Sequence, residues 1–212
     1  MTNFIPIFPL GLVVFPGEQL NLHIFEPRYK QLIQECKAAD KPFGIPAVIN
    51  NAMPEMGTLV RVKEISQQYE NGEMDIKTEG LAVFKILELV KEIPEKLYSG
   101  AIVTYPLNVE TGSAKRMKQI LQSIRELHQK LNVTKDFGKP DEFLNSFDVA
   151  HHAGLGLEDE YRLLELTQEL QRQEFLQRHL NTVLPIMEDM HLLKGKIKMN
   201  GHFKNMEGFD FS

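Results

Sequence analysis

The sequence predicts an α+β protein in which a β-rich, barrel-like half is followed by an α-helical bundle. Three observations lead there. Apolar residues alternate with period two between Phe43 and Leu107, the pattern of half-buried strands. Glu70-Asn71-Gly72-Glu73 interrupts that alternation with a strong hairpin signal, because Asn-Gly adopts the positive φ of a two-residue type I′ turn. From Ser113 onward the apolar spacing lengthens to three and four, the period of an amphipathic helix. The division that follows is a β-rich part over residues 1–108, helices over 109–194, and a flexible or docking tail over 195–212.

Each element has a local reason. Residues 4–25 are expected to be extended, with Pro6, Pro9 and Pro16 at edges or strand ends, since proline lacks the N–H a central strand needs. Glu26-Pro27 starts a helix with proline near its first position. Tyr29, Leu32, Ile33 and Cys36 share one face of it, and it stops before Lys41-Pro42. Phe43-Gly44-Ile45 and Ala47-Val48-Ile49 are expected as a short strand pair or one interrupted strand. Thr58 to Tyr69, Met74 to Thr78, Leu81 to Val90 and Tyr98 to Tyr105 supply further strands, with a bulge at Glu79-Gly80.

Ser113 is the expected cap of a helix whose apolar face is Met117, Ile120, Leu121, Ile124, Leu127 and Leu131. A second helix is expected from Pro140 through Ala153, ended by Gly154-Leu155-Gly156. A third starts near Glu158, burying Leu163, Leu164, Thr167 and Leu170 and continuing through Leu180 to Met187. Pro185 should kink or break it. Beyond Gly195 apolar density falls, and Asn200-Gly201 offers a hairpin turn in a tail that would act as an interaction arm or a mock substrate.

The totals set limits. A chain of 212 residues with 42% apolar and 25% charged content is ample for a real core. With a net charge of −5, nothing in the overall composition argues for nucleic acid or an anionic membrane. One cysteine, Cys36, forbids an internal disulfide and fits a reducing compartment. The prolines cut the first apolar run well short of a signal peptide or a membrane span. The expectation is a soluble, cytoplasmic protein with no membrane partner.

Residues 4–190 carry a resemblance. Ile5-Pro6 through Pro9-Leu10, Val13-Val14-Phe15-Pro16 and the run Leu22-His23-Ile24-Phe25-Glu26-Pro27-Arg28-Tyr29 open it. Gly57-Thr58-Leu59-Val60 and Asn71-Gly72-Glu73 through Thr78-Glu79-Gly80 follow. Phe147-Asp148-Val149-Ala150, Gly156-Leu157-Glu158 and Leu163-Leu164-Glu165-Leu166 close it. In order and spacing these resemble the N-terminal, substrate-binding domain of Lon protease in its stand-alone form. The resemblance implies a PUA-like pseudo-barrel ahead of a helical bundle. It also implies a non-catalytic module that binds unfolded protein or peptide as an adaptor or holdase, with a separate ATPase and protease as further partners.

Catalysis is not expected. Ser113 and Lys115 in Gly112-Ser113-Ala114-Lys115 are the one short run that invites comparison with a Ser-Lys dyad. At i,i+2 on a helix start they face different ways, so a cap and a solvated lysine explain them. No Gly-Lys-Ser/Thr loop for ATP is present. His151-His152 are adjacent and cannot chelate as an i,i+4 pair would, and the other histidines lack ligand partners at suitable spacing. No metal and no cofactor are expected, and Cys36 is a structural thiol on an apolar face.

RNA binding through a PUA-like half is the alternative. Lys115, Arg116, Lys118, Arg125, Lys130, Lys135 and Lys139 make residues 114–139 basic, whereas 140–190 are acidic. Packing of oppositely charged helices explains this, and the β half lacks a basic strip interleaved with aromatics, so nucleic acid is the less favoured partner. For peptide, the candidate groove residues are Leu10, Phe15, Pro16 and Tyr29, where strand and helix exchange, beside the edge that the prolines leave.

Overall fold

The structure, a computed structural model, describes residues 2–202, with side chains as far as Met187. In chain order the elements are β1 (Thr2–Pro6), β2 (Gln19–Ile24), α1 (Pro27–Ala38), β3 (Phe43–Pro46), β4 (Met56–Gln68), β5 (Met74–Val90) and β6 (Gly100–Thr104), then α2 (Ala114–Leu131), α3 (Ser146–Val149), α4 (Leu157–Glu165) and α5 (Glu169–His202). All six strands thus precede the long helices, and only α1 lies among them.

The strands form one antiparallel sheet in the order β1-β6-β5-β4-β3, with β2 alongside the first half of β5. The chain after β1 bends this sheet toward closure. Phe8 and Leu10 donate their N–H groups to the carbonyls of Gly44 (2.8 Å) and Pro46 (3.2 Å), and Val48 donates back to Leu10 (2.7 Å). Residues 7–10 therefore run parallel to β3 and its continuation, and the result is a pseudo-barrel. This also corrects one expectation and decides another. Residues 4–25 are not one extended run, because 7–18 is irregular backbone between β1 and β2. Residues 43–49 are the interrupted strand rather than a strand pair: β3 ends at Pro46, and beyond it Ala47 bridges to Leu10 and Ile49 to Ala52.

The hairpin at Asn71-Gly72 forms, with a different turn. Gly72 has φ +77 while Asn71 is not in the left-handed region. Gly72 N–H donates to Tyr69 O and Tyr69 N–H to Glu73 O, each at 2.9 Å. That is a three-residue loop ending in a glycine bulge rather than a type I′ turn. The bulge near Gly80 is present: Val60 pairs with Gly80 and Leu59 with Ala82, leaving Leu81 over. A Cβ on Gly80 would sit 2.3 Å from the carbonyl oxygen of Phe15, so glycine there permits close backbone pairing with Gly17 and Glu18.

Three apolar clusters result. One lies inside the barrel under α1, whose Tyr29, Leu32, Ile33 and Cys36 are buried as the spacing requires. A second packs Ile5, Ile7, Phe84 and Val103. The largest joins the two halves, with Phe15, Ala47, Met56 and Val83 from the barrel against Ile120, Ile124, Phe147, Leu164 and Leu176. Ser113 caps α2, accepting the Arg116 N–H.

The helical half departs from expectation in several places. Residues 140–153 do not make one helix. A short 3₁₀ turn (Asp141–Phe143), α3 and a second 3₁₀ turn (Ala150–His152) replace it. Asn145 starts α3 in a reciprocal capping box with Asp148, and the carboxylate of Glu169 takes the N–H and hydroxyl of Ser146. Residues 166–168 separate α4 from α5, as Leu166 leaves the helical region with ψ 117. Leu131 and Leu170 point outward rather than into the core. Of the kink or break expected at Pro185 the break does not occur, since α5 continues through it. Its backbone also spans Asn200-Gly201, so no hairpin turn forms at that position; the remainder of the tail, 203–212, lies outside the described residues.

Candidate functional site

A groove of about 750 Å³ runs between β1 and the C-terminal end of α1. One wall is four consecutive residues of β1, Asn3 to Pro6. The opposite wall is Glu35, Cys36 and Ala39 of α1 with Lys41 and Pro42, and Leu59, Tyr98 and Tyr105 complete the lining. The second wall is rigidly placed. Asp40 takes φ +49, its N–H donates to Lys37 O and the Lys41 N–H reaches back to Cys36 O at 2.9 Å. These two bonds are a Schellman motif, with Pro42 preventing the helix from continuing.

The groove's two charged groups differ in how they are matched. Glu35 accepts hydrogen bonds from the Tyr98 hydroxyl, Lys96 Nζ (2.9 Å) and Gln31 Nε2 (3.1 Å). The Tyr98 bond foremost, then Lys96, holds its carboxyl below the usual range. Burial pushes the Cys36 thiol up to about 11, with the neighbouring Glu35 charge adding to it, so it stays protonated and is a poor nucleophile. Lys41, exposed at the rim, makes no salt bridge among the described residues. Phe4 is half exposed on β1, its ring over Gly100. The arrangement is an apolar slot with a strand edge, an aromatic ring and one uncompensated cation. Its one thiol, Cys36, is held protonated by burial and by the Glu35 charge.

The residues selected from sequence fall elsewhere. Phe15 is only 1% exposed, stacked on Phe147 with ring centroids 5.3 Å apart, and belongs to the core that joins the halves. Tyr29 is buried and stacked on Phe8 at 3.8 Å. Leu10 is half-buried against the cluster under α1, its backbone paired with β3. Pro16 is half-buried beside the Gly17–Gly80 pair. Leu10 and Tyr29 share a cluster, but the four do not come together and none lines the large groove. The proline edge is likewise mostly occupied, since residues 7–10 pair with β3; only the part before Pro6 opens on the groove.

Other polar clusters are structural. A cavity of about 430 Å³ near the start of α2 is lined by Glu110, Asp141, Glu142 and Glu169. Glu169 there is satisfied by Ser146, Gln173 and Arg172. His151 stands between Glu160 (2.7 Å) and Glu18 (3.1 Å), pinning the helical half to the barrel. Burial opposes its charge, but the two carboxylates outweigh that and raise its pKa to about 9. The basic stretch is partly neutralised by the acidic one, through Arg125–Asp141 and Lys139–Asp148. Lys115 is exposed and Ser113 serves as cap. Among the described residues no group of His, Cys, Asp and Glu side chains is placed to hold a metal ion, and no helix is long and apolar enough to cross a membrane.

Comparison with known proteins gives the groove its context. The family described as the ATP-dependent protease La (LON) substrate-binding domain matches residues 5–185. The fold is similar to the crystal structure of a Lon N-terminal domain protein from Xanthomonas campestris, with TM-score 0.63 and 19% identity over 83% of this chain and 98% of that one. It is also similar to the N-terminal domain of the Mycobacterium avium complex Lon protease, with TM-score 0.60 and 13% identity over 84% of this chain and 98% of that one. The pseudo-barrel, the helices packed on it and a family match over most of its length place this chain in the Lon protease substrate-binding domain family.

Proposed function

We propose that this substrate-binding module captures unfolded polypeptide in the groove between β1 and α1. It acts as a non-catalytic adaptor or holdase, handing the bound chain to a separate ATPase and protease. The observation that carries this reading is the groove itself, in which apolar and aromatic side chains lie beside a strand edge and no reactive group competes. Unfolded chains share apolar side chains and a free main chain, and a slot offering both recognises them without demanding one sequence. A cytoplasmic setting suits Cys36, which stays a buried thiol.

Affinity is expected in the range of about 10–100 μM, which corresponds to roughly 5.5–7 kcal/mol. A few apolar side chains contributing about 1.5–3 kcal/mol each, less the cost of association, reach that figure. Isothermal titration of the full chain with a permanently unfolded, carboxymethylated protein should give saturable heat, whereas the same protein folded should give none. Equal heats from the folded and unfolded forms, or no heat from either, would refute the proposal.

A further inference from the structure

We infer that the groove takes its polypeptide as an added β-strand on the outer edge of β1, and that the segment it prefers is extended, apolar at alternate residues, and carries an acidic side chain beside Lys41. This rests on the reading of the groove as the polypeptide site and goes on to say how the chain is held.

The main-chain directions of β1 follow from its register. Pro6 pairs with Gly100 and Ile5 with Ala101, and the next residue, Ile7, donates its N–H to Ser99 O at 3.0 Å. Hydrogen-bonded positions alternate along an antiparallel pair. Asn3, Ile5 and Ile7 therefore direct their backbone polar groups at β6, while Thr2, Phe4 and Pro6 turn theirs away. The same parity continues in the next residues, where Phe8 and Leu10 donate outward to Gly44 and Pro46. Pro6, which has no N–H, falls at an outward position, where a strand tolerates proline.

Past Pro6 toward the N-terminus this outward edge has no strand beside it. β1 forms a ladder only with β6, and the parallel bridge of Ile7 to Gly44 takes up the outward C=O of Pro6, so the open outward groups begin at Phe4, whose N–H and C=O no hydrogen bond reaches among the described residues. The groove begins along this stretch, lined by Asn3 to Pro6. A strand laid about 4.8 Å from β1 would complete those bonds, and alternate side chains would enter the slot toward Leu59, Tyr105 and Pro42.

Charge selects further. The Glu35 carboxylate is already matched by Lys96 at 2.9 Å, which leaves Lys41 as the unmatched charge at the rim. An aspartate or glutamate in the incoming segment complements it.

The probe is an end-capped peptide of roughly ten residues, alternating valine and serine with one central aspartate. It is made unmodified and as a series with one N-methylated amide at each position, and each is titrated against the full chain. N-methylation should weaken binding about tenfold, the worth of a lost hydrogen bond, at the peptide amides that face the outward carbonyls of Thr2 and Phe4, two residues apart, and leave the amide between them near the unmodified affinity. This series needs no protein variant. In the protein, Phe4→Pro should weaken binding about tenfold more than Phe4→Ala, because only the proline removes the outward N–H. Lys41→Glu should weaken the aspartate peptide and restore binding when that aspartate is replaced by lysine. Binding of the unmodified peptide with no period-two pattern would overturn strand addition and leave the proposed function standing. Failure of the wild-type chain to bind either this peptide or an unfolded protein would overturn both. A concentration-dependent dimer abolished by Phe4→Pro would assign the edge to a second copy and overturn the inference.

Discussion

Replacing Arg172 with methionine should destabilise the protein by about 3–5 kcal/mol, because it strands a buried carboxylate. Arg172 and Glu169 are each 2% exposed at the side chain and 3.0 Å apart. The guanidinium also donates to Ser146 Oγ (2.9 Å), Asn108 Oδ1 (2.8 Å) and Leu166 O (2.8 Å), and lies 4.1 Å from the centre of the Phe147 ring. One side chain thus ties the β6–α2 connection, α3 and the bend before α5 to one point. Methionine keeps much of the packing volume but leaves the Glu169 charge without a counter-charge, supported only by Ser146 and Gln173. Against a total stability of about 5–15 kcal/mol for a domain, that loss is large. The double variant Arg172→Met/Glu169→Gln removes the charge as well and should recover at least half of the loss. Urea unfolding followed by far-UV circular dichroism suits the measurement, since the chain has no tryptophan. A single variant within about 1 kcal/mol of wild type, or a double variant no more stable than the single, would refute the reasoning.

Two further predictions concern how the halves are joined. The pKa of His151 is raised from 6.5 to about 9 in the folded protein, so its stabilising contribution is complete below pH 6.5 and is lost as pH rises through about 9. Its side chain is 37% exposed, and screening reduces the contribution to roughly 1–2 kcal/mol. His151→Gln should therefore flatten the fall in urea midpoint over that pH window, and an unchanged pH profile would count against the Glu18–His151–Glu160 bridge. Gly80→Ala should cost about 2–3 kcal/mol by forcing the backbone away from Phe15, whereas Gly11→Ala, which meets only one atom at 4.0 Å, should stay within about 0.5 kcal/mol of wild type. Equal thermal midpoints for the two variants would contradict the close approach at Gly80.

Features set by near neighbours in the chain were legible from sequence. The buried face of α1, the Ser113 cap, the Gly80 bulge and the change from strand to helix each depend on a few adjacent residues, and each is found where expected. Asn71-Gly72 marked the hairpin correctly, but the turn type depends on the register of the two long strands, which is a longer-range property. The helix expected over 140–153 fails for a similar reason. Glu169, 23 residues further on, holds the backbone N–H and hydroxyl of Ser146, and no local pattern contains that contact.

The candidate site shows the division most clearly. By itself the sequence determined the family, the fold class and the segment 4–30 as a place of interest, because residue order and hydrophobic period survive without coordinates. Only the tertiary structure decided which part of that segment faces outward. Phe15 and Tyr29 are large and apolar, and the core took both. The groove is assembled instead from residues 3–6, 35–42, 59, 98 and 105. Their common wall exists because residues 7–10 close the barrel against β3 while β1, just before them, is left with an unpaired edge. Which main-chain groups remain unpaired follows from the closure of the whole sheet, and no short stretch of sequence records it.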